Sequence, residues 1–481
     1  MTVNAPLSNY IGGRLIASGS SDLIPVLNPS SGAVISEMPV SSREAVDEAV
    51  AAAKTAQVAW GRLPAIQRGN ALRAISARIR ERVEPIARII SQEQGKLFGL
   101  AKVEVAFAAD YLDYMAEWAR RIEGEIIESD RPGENIFLFR KPIGVVGAIL
   151  PWNFPFFLIA RKLGPALVTG NSIVIKPSEE TPLNAAAFIA LLDGLDIPEG
   201  VINVVYGTGA GVGEAISSHP DIGLISFTGS AATGSRIMAA AARNITKVNL
   251  ELGGKAPAIV LKDADLEKAA KAVAASRTLN SGQVCNAAER VYVERPIAEA
   301  FVARVSEEMK AMRVGDPLGE SEIDMGPMIN RAGVRKVEEL VRSALDSGAT
   351  VVTGGRGTAE EGKGTYYEPT VITGCRQDMD VMRKEIFGPV LPVMTVDSLE
   401  EAISLANDCE YGLTSSIYTE NLSSALKASR ELSFGETYIN RENFEAMQGF
   451  HAGNRKSGIG GADGKHGLYE YTSTHVVYIQ S

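Results

Sequence analysis

Residues 143–176 read IGVVGAILPWNFPFFLIARKLGPALVTGNSIVIK. A β-branched run of strand length is followed by a helical run and then by a second β-branched run, SIVIK at 172–176. Strands apolar on both faces and joined through a helix belong in a parallel sheet covered on both sides. The alternation continues with helical NAAAFIALLDGL (184–195), extended VINVVY (201–206), helical GVGEAISS (211–218), extended GLISF (223–227), helical ATGSRIMAAAAR (232–243) and extended KVNLEL (247–252). This predicts an α/β fold built on a doubly wound parallel sheet, which binds ligands outside the carboxyl ends of its strands.

Upstream, residues 41–120 carry helical periodicity, as in REAVDEAVAAAKTAQVAW and RGNALRAISARIRERVEPIARII, which read as amphipathic helices. Downstream, APAIVL, RVYVE, ATVVTGG, YYEPTVI and PVLPVMTV between about 255 and 440 predict strands of a second α/β unit. Two pieces fit neither unit. RIEGEIIESDRPGENIFLFRKP (121–142) reads as two extended runs about a turn at Asp130–Gly133, and LYEYTSTHVVYIQS (468–481) alternates like an exposed strand. An exposed terminal strand needs a partner edge.

At 481 residues the chain exceeds one core of roughly 250–300 residues, so at least two domains are expected. Its 45% hydrophobic and 22% charged residues are those of a globular protein, and its net charge of −10, without a basic stripe, favours neither nucleic acid nor an anionic membrane. Three scattered cysteines make neither a disulfide framework nor a metal site. With no apolar stretch of membrane-spanning length and no signal-like N-terminus, a cytoplasmic protein is expected.

Chemistry concentrates in a few strings. Cys285 closes NSGQVC (280–285), a stretch whose Ser281, Gly282 and Gln283 read as polar and flexible, and it stands 34 residues after Glu251 of LELGGK (250–255). A thiol able to form a covalent adduct, with a carboxylate able to activate water, is what oxidation of an aldehyde to an acid requires. Asn153 sits in PWNFP (151–155) after a strand end, and FTGS (227–230) opens a helix whose N-terminus suits a pyrophosphate. Each residue alone has a plainer reading: an inert buried cysteine, a solvated glutamate, a turn asparagine. Cys375 and Cys409 lack comparable surroundings and are read as structural. The glycines at 207–213 do not fit a dinucleotide fingerprint in any frame.

Together with EIFGPV (385–390), these strings occur in an order and spacing that resembles the NAD(P)-dependent aldehyde dehydrogenase superfamily, from about residue 10 to the C-terminus. The resemblance implies a cofactor domain (1–120 and 143–253), a catalytic domain (254–450) and an oligomerisation segment (121–142 and 467–481) that bridges subunits of a homo-oligomer, dimer or tetramer. A hairpin packed on its own subunit is the alternative. The catalytic set it implies is Cys285 as nucleophile, Glu251 as deacylating base, Asn153 in the oxyanion hole with the Cys285 N–H, and Lys162. Many relatives carry a further acidic residue before the tail; Ala462 stands there, so Glu251 is expected to work without it.

For the cofactor, the resemblance places Lys176, Ser178 and Glu179 at the adenosine ribose, with Gly209 and Gly213 nearby. Phe227, Thr228, Gly229 and Ser230 face the pyrophosphate, while Leu150, Trp152, Leu252, Glu385 and Phe387 line the nicotinamide end. Glu179, assisted by Glu180, repels a 2′-phosphate, so NAD is expected and NADP is the alternative.

The resemblance places Phe154 by the substrate, where Arg161 and His451 stand at positions that are usually aromatic in the family, with Glu445 six residues before His451. Polar groups in the entrance funnel imply a polar substrate; the alternative is a structural ion pair and a core histidine. YINRENFEAMQGFHAG (438–453) and DYMAEWARRIEGEII (113–127) resemble the bacterial branch of the family acting on lactaldehyde and glycolaldehyde, although Asn454 departs from its aromatic residue. The expected reaction is NAD-dependent oxidation of a small hydroxyaldehyde through a thiohemiacetal and a thioester. Other aldehyde classes, or acyl transfer to CoA, are the alternatives; the latter has no need of a water-activating Glu251.

Overall fold

The computed structural model describes residues 7–18, 22–358, 360 and 362–481. The first residues of the N-terminal stretch read for a signal sequence lie outside that range. An eight-stranded sheet runs in the order Gly458–Ile459, Lys247–Leu252, Ile222–Gly229, Val145–Ile149, Ser172–Lys176, Ile202–Val204, Asn9–Ile11, Arg14–Ile16. The strands from Lys247–Leu252 to Ile202–Val204 are parallel, and the additions at both edges are antiparallel.

Alternation along these strands separates two cores. Val146, Ala148, Ile173 and Ile175 face a cluster with Leu72, Ile75 and Leu112, whereas Val145, Ile149 and Val174 face one with Val46, Val50 and Ile237. Successive strand residues point to opposite faces, so helices cover both. A second sheet, of seven strands, runs Thr350–Thr353, Thr370–Thr373, Val390–Val396, Arg290–Glu294, Pro257–Val260, Thr414–Tyr418, Glu436–Ile439, parallel except at the first pair.

The helical region contains Arg43–Trp60, Ala65–Arg80, Val83–Gln94 and Phe98–Glu117. The run 68–90, read as one helical stretch, is broken at Arg82, whose φ of −129° and ψ of 21° are not helical. Pro85 in the first turn of the following helix explains the break, because it lacks an N–H and would clash inside a continuous helix.

The hairpin Glu125–Glu128/Glu134–Pro142 forms where expected, and Thr472–Gln480 pairs antiparallel with its second strand, Gln480 opposite Glu134 and Thr472 opposite Pro142. The partner edge of the tail is therefore in its own chain. The tail strand starts later than the sequence suggested. Gly464–Glu470 is helical, and Leu468 and Tyr471 are buried against the first sheet's core. Among the described residues no helix is long and apolar enough to cross a membrane.

Candidate active site

Four strands of the first sheet deliver the site at their carboxyl ends. Val145–Ile149 leads into Leu150 and Asn153, Ser172–Lys176 ends on Lys176, Ile222–Gly229 supplies Phe227, Thr228 and Gly229, and Lys247–Leu252 supplies Glu251 and Leu252. One cavity of about 260 Å³ is lined by Trp152, Asn153, Phe154, Arg161, Thr228, Gly229, Ser230, Glu251, Leu252, Cys285, Glu385, Phe387 and Glu445. Also on its wall are Phe107, Phe157, Asn286, Lys336 and Phe444, none of which the sequence singled out.

The loop bearing Cys285 is polar but not flexible, contrary to expectation. Asn280, Ser281 and Gly282 take left-handed φ values of 49°, 58° and 74°, and all are buried. Such a backbone costs roughly 1–2 kcal/mol per non-glycine residue, so it persists only where its surroundings hold it. Ser281 Oγ donates to the Gly326 carbonyl at 2.8 Å, the Ile329 N–H donates to Gln283 Oε1 at 2.9 Å, and Arg277 donates to the Gly282 carbonyl. A Cβ at Gly282 would sit 2.3 Å from the Gly388 carbonyl oxygen, which only glycine avoids.

Asn153 Nδ2 donates to the Gln283 carbonyl at 3.1 Å, tying the PWNFP turn to this loop. The turn is anchored from below by two residues absent from the sequence-based site. Buried Lys96 donates to the Asn153 carbonyl at 2.7 Å and pairs with Glu104, whose other oxygen accepts the N–H groups of Phe156 (2.9 Å) and Phe157 (3.1 Å). Glu104 thus satisfies the open N-terminus of helix Pro155–Val168.

That helix carries Arg161 and Lys162 toward Glu251. Lys162 Nζ lies 2.7 Å from Glu251 Oε1, and Arg161 lies 3.8 Å from the other oxygen. Burial opposes ionisation of Glu251, but Lys162, Arg161 and His451 overcome it and bring the carboxyl down to about 2. Arg161 is held mainly by Asp463, through Nε at 3.0 Å and through Nη2, and by Glu445 at 3.3 Å. Next to Ala462, Asp463 is buried in a left-handed conformation of φ 70° and holds Arg161 without reaching the cavity wall.

Of the residues on the cavity wall, Val103 and Phe444 are exposed and apolar and Lys336 and Ser230 are exposed and polar, whereas Arg161 and Asn286 are buried, Asn286 next to Cys285. His451 is absent from the cavity wall; it is buried, with Nδ1 2.6 Å from Glu436 Oε1. Asn454 is exposed and also off the wall.

The cofactor residues suit a dinucleotide. Ser230 caps helix Ala231–Ala241 by accepting the Thr233 N–H at 3.2 Å, leaving an N-terminus open to an anion. Lys176 pairs with Glu179 at 3.0 Å, and Glu179 accepts the Gly209 N–H where Gly209–Gly213 forms a wide turn. Ser178 is buried beside them. Beside it, Glu180 accepts from Asn330 at 2.8 Å, and burial together with repulsion from Glu179 raises its proton affinity. At the other end Glu385 accepts the Gly254 N–H at 2.8 Å, and a Cβ at Gly253 would come within 2.5 Å of its carboxylate. Burial and repulsion from Glu289 push Glu385 up to about 7. Trp152 and Phe387 meet edge to face at 5.5 Å beside it. Two carboxylates for ribose hydroxyls, a helix N-terminus for phosphate and an aromatic pair for a ring match the parts of a nicotinamide dinucleotide.

The Aldehyde dehydrogenase family model matches residues 16–477. The chain is 58% identical to lactaldehyde dehydrogenase of Escherichia coli over 100% of both chains, and the crystal structure of that enzyme superposes with a TM-score of 0.97 over 99% of this chain and 100% of the other. Betaine aldehyde dehydrogenase of Staphylococcus aureus in complex with NAD+ is 34% identical, with a TM-score of 0.95 over 98% of this chain and 97% of that one. D-glyceraldehyde dehydrogenase (NADP(+)) of Thermoplasma acidophilum is 38% identical over 98% and 95% of the two chains. The chain belongs to the aldehyde dehydrogenase family, enzymes that oxidise aldehydes with a pyridine nucleotide.

Proposed function

We propose that this enzyme oxidises small hydroxyaldehydes, lactaldehyde or glycolaldehyde, to their acids with NAD. The observation that carries the substrate reading is Asn286 Oδ1, a buried acceptor beside Cys285 with no hydrogen-bond partner. Its amide orientation is fixed because Nδ2 donates to the Glu445 carboxylate, which can only accept. A buried acceptor left unpaired costs about 1–3 kcal/mol, and a hydroxyl next to the aldehyde carbon is a donor of the right kind. Arg161 and Glu445 close the same end of the cavity, so an alkyl chain there leaves polar groups unmatched.

The Cys285 sulfur attacks the aldehyde carbon, and the carbonyl oxygen becomes an oxyanion held by the Asn153 amide and the Cys285 N–H. A nicotinamide held beside Trp152, Glu385 and Phe387 would supply the hydride acceptor for collapse of this thiohemiacetal to the thioester. Glu251, kept ionised by Lys162, then takes a proton from the water that hydrolyses the thioester. Arg161 faces the carboxylate product. Glu179, with its carboxylate at the ribose position, favours NAD by repelling a 2′-phosphate. The exposed apolar residues of the tail sheet support a homo-oligomer, dimer or tetramer. The free cysteines support a reducing, cytoplasmic setting.

Lactaldehyde and propanal, which differ by the hydroxyl alone, test the substrate reading. Lactaldehyde is expected to have at least about tenfold higher kcat/KM, with Asn286→Ala narrowing the gap. Equal values in the wild-type enzyme overturn the reading.

A further inference from the structure

Behind the cavity wall, a run of contacts leads from Asp463 to the acceptor on which the substrate reading rests. Asp463 Oδ1 accepts from Arg161 Nε at 3.0 Å and its Oδ2 accepts from Arg161 Nη2, the two-point pairing that a guanidinium fork and a carboxylate make. Arg161 Nη2 also donates to Glu445 Oε1, at 3.3 Å, and the second oxygen of Glu445 accepts from Asn286 Nδ2. Asn286 Oδ1 stands at the end of the run as the unpaired acceptor. Arg161, Glu445 and Asn286 line the cavity, whereas Asp463 is buried behind it.

Asp463 makes this contact from an unusual backbone. Its φ of 70° and ψ of 162° belong to a region that residues with a Cβ seldom occupy, and such conformations persist where the surroundings fix them. Here Ala462 exchanges backbone hydrogen bonds of 2.9 and 2.8 Å with His451, and the Gly464 N–H donates to the Met447 carbonyl at 3.0 Å. Arg161 in turn faces three carboxylates, those of Asp463, Glu445 and Glu251. With Nε and Nη2 committed to Asp463, Nη1 stays 3.8 Å from Glu251 Oε2, beyond hydrogen-bonding reach. A guanidinium released by Asp463 is free to turn toward Glu251, and that turn withdraws Nη2 from Glu445.

We propose that Asp463 is a specificity-determining positioning residue: acting through Arg161 and Glu445, it fixes the Asn286 amide with Oδ1 toward the hydroxyl beside the aldehyde carbon. This role rests on the hydroxyaldehyde reading of the site. Because Asp463 lies off the cavity wall, it governs which aldehyde is preferred and takes no part in the chemistry at sulfur.

The test is the ratio of kcat/KM for lactaldehyde to that for propanal in Asp463→Asn. Asparagine keeps the shape and tolerates a positive φ, but its single oxygen cannot replace a carboxylate that accepts from both Nε and Nη2. The ratio is blind to the fraction of enzyme that is folded, so a merely structural role leaves it unmoved. It is expected to fall by at least about threefold. In Arg161→Leu, where the run of contacts is already cut, adding Asp463→Asn is expected to change the ratio by less than about twofold. An undiminished effect in that background overturns the role. Should Asp463→Asn not fold, Arg161→Lys carries the test: an ammonium cannot serve Asp463 and Glu445 through one planar fork, so the ratio falls there too, and an unchanged ratio overturns the role. Equal kcat/KM for the two aldehydes in the wild-type enzyme refutes the hydroxyaldehyde reading and this role with it, whereas a wild-type gap that survives intact in Asp463→Asn refutes the role alone.

Discussion

Lys162 holds Glu251 by a buried contact of 2.7 Å, and that contact decides which protonation state of Glu251 the enzyme carries. Of the influences on this carboxyl, burial raises its proton affinity, and Lys162, followed by Arg161 and His451, lowers it to about 2. Removing the ammonium leaves burial less opposed. Lys162→Met is therefore expected to move the acidic limb of the deacylation rate to higher pH, by about one unit or more, and to leave the alkaline side unchanged. The base form is lost as pH falls through the new, higher value. Stopped-flow measurement of NADH release after the burst checks this, and an unmoved limb contradicts the pairing.

Lys96 and Glu104 support the Asn153 turn from outside the proposed catalytic set. Glu104→Gln keeps the shape but weakens the pair with Lys96, which then holds the Asn153 carbonyl less firmly. An oxyanion donor is worth about 2.7–4 kcal/mol, so partial misplacement is expected to lower kcat by roughly ten- to a hundredfold with little change in KM. Pre-steady-state burst rates distinguish this from global destabilisation, which lowers burst amplitude instead.

Glu179, bonded to Lys176, is the carboxylate to which the proposed NAD preference is assigned, and its neighbour Glu180 accepts from Asn330. Glu179→Gln removes the charge and keeps a hydrogen-bonding group. Its NADP kcat/KM is expected to rise at least about tenfold relative to NAD, while Glu180→Gln changes the ratio little. Steady-state rates with one aldehyde and both cofactors give the answer, and a larger effect at Glu180 contradicts the assignment.

Legibility follows chain proximity. The strand–helix pattern places Asn153, Lys176, Thr228 and Glu251 at strand ends, where the structure has them, but the roles assigned to them come from the family resemblance. Lys96 reaches Asn153 across 57 residues and Arg161 meets Asp463 across 302, and no local periodicity encodes such partners. A buried lysine in a helical region looks like any solvated one until the fold closes over it. The NSGQ string misled for the same reason. Its small polar residues suit a mobile loop, but here they satisfy buried carbonyls at Gly326 and Asn280. Asn286 gave no signal of its own, because its significance lies in an acceptor that the rest of the site leaves unpaired.

The tail gives the last prediction, and the fold changes where it is cut. Ending the chain at residue 467 removes Leu468 and Tyr471, which are core residues, so loss of structure would mask any effect on assembly. Deleting 473–481 keeps them and removes nearly all of the strand paired with Glu134–Pro142. What is lost is the outer edge and exposed apolar residues on both faces of the sheet, Val476 (40%) and Tyr478 (64%) on one and Ile479 (49%), on the side of Phe139 (47%), on the other. Edges and patches of this kind are normally covered in soluble proteins, and a second copy of the chain is the simplest cover. The shortened enzyme is expected to bind NAD with near-normal affinity but to elute from size-exclusion chromatography as monomers or aggregates. Elution at the full-length position with intact NAD binding would show that subunits associate elsewhere on the molecule.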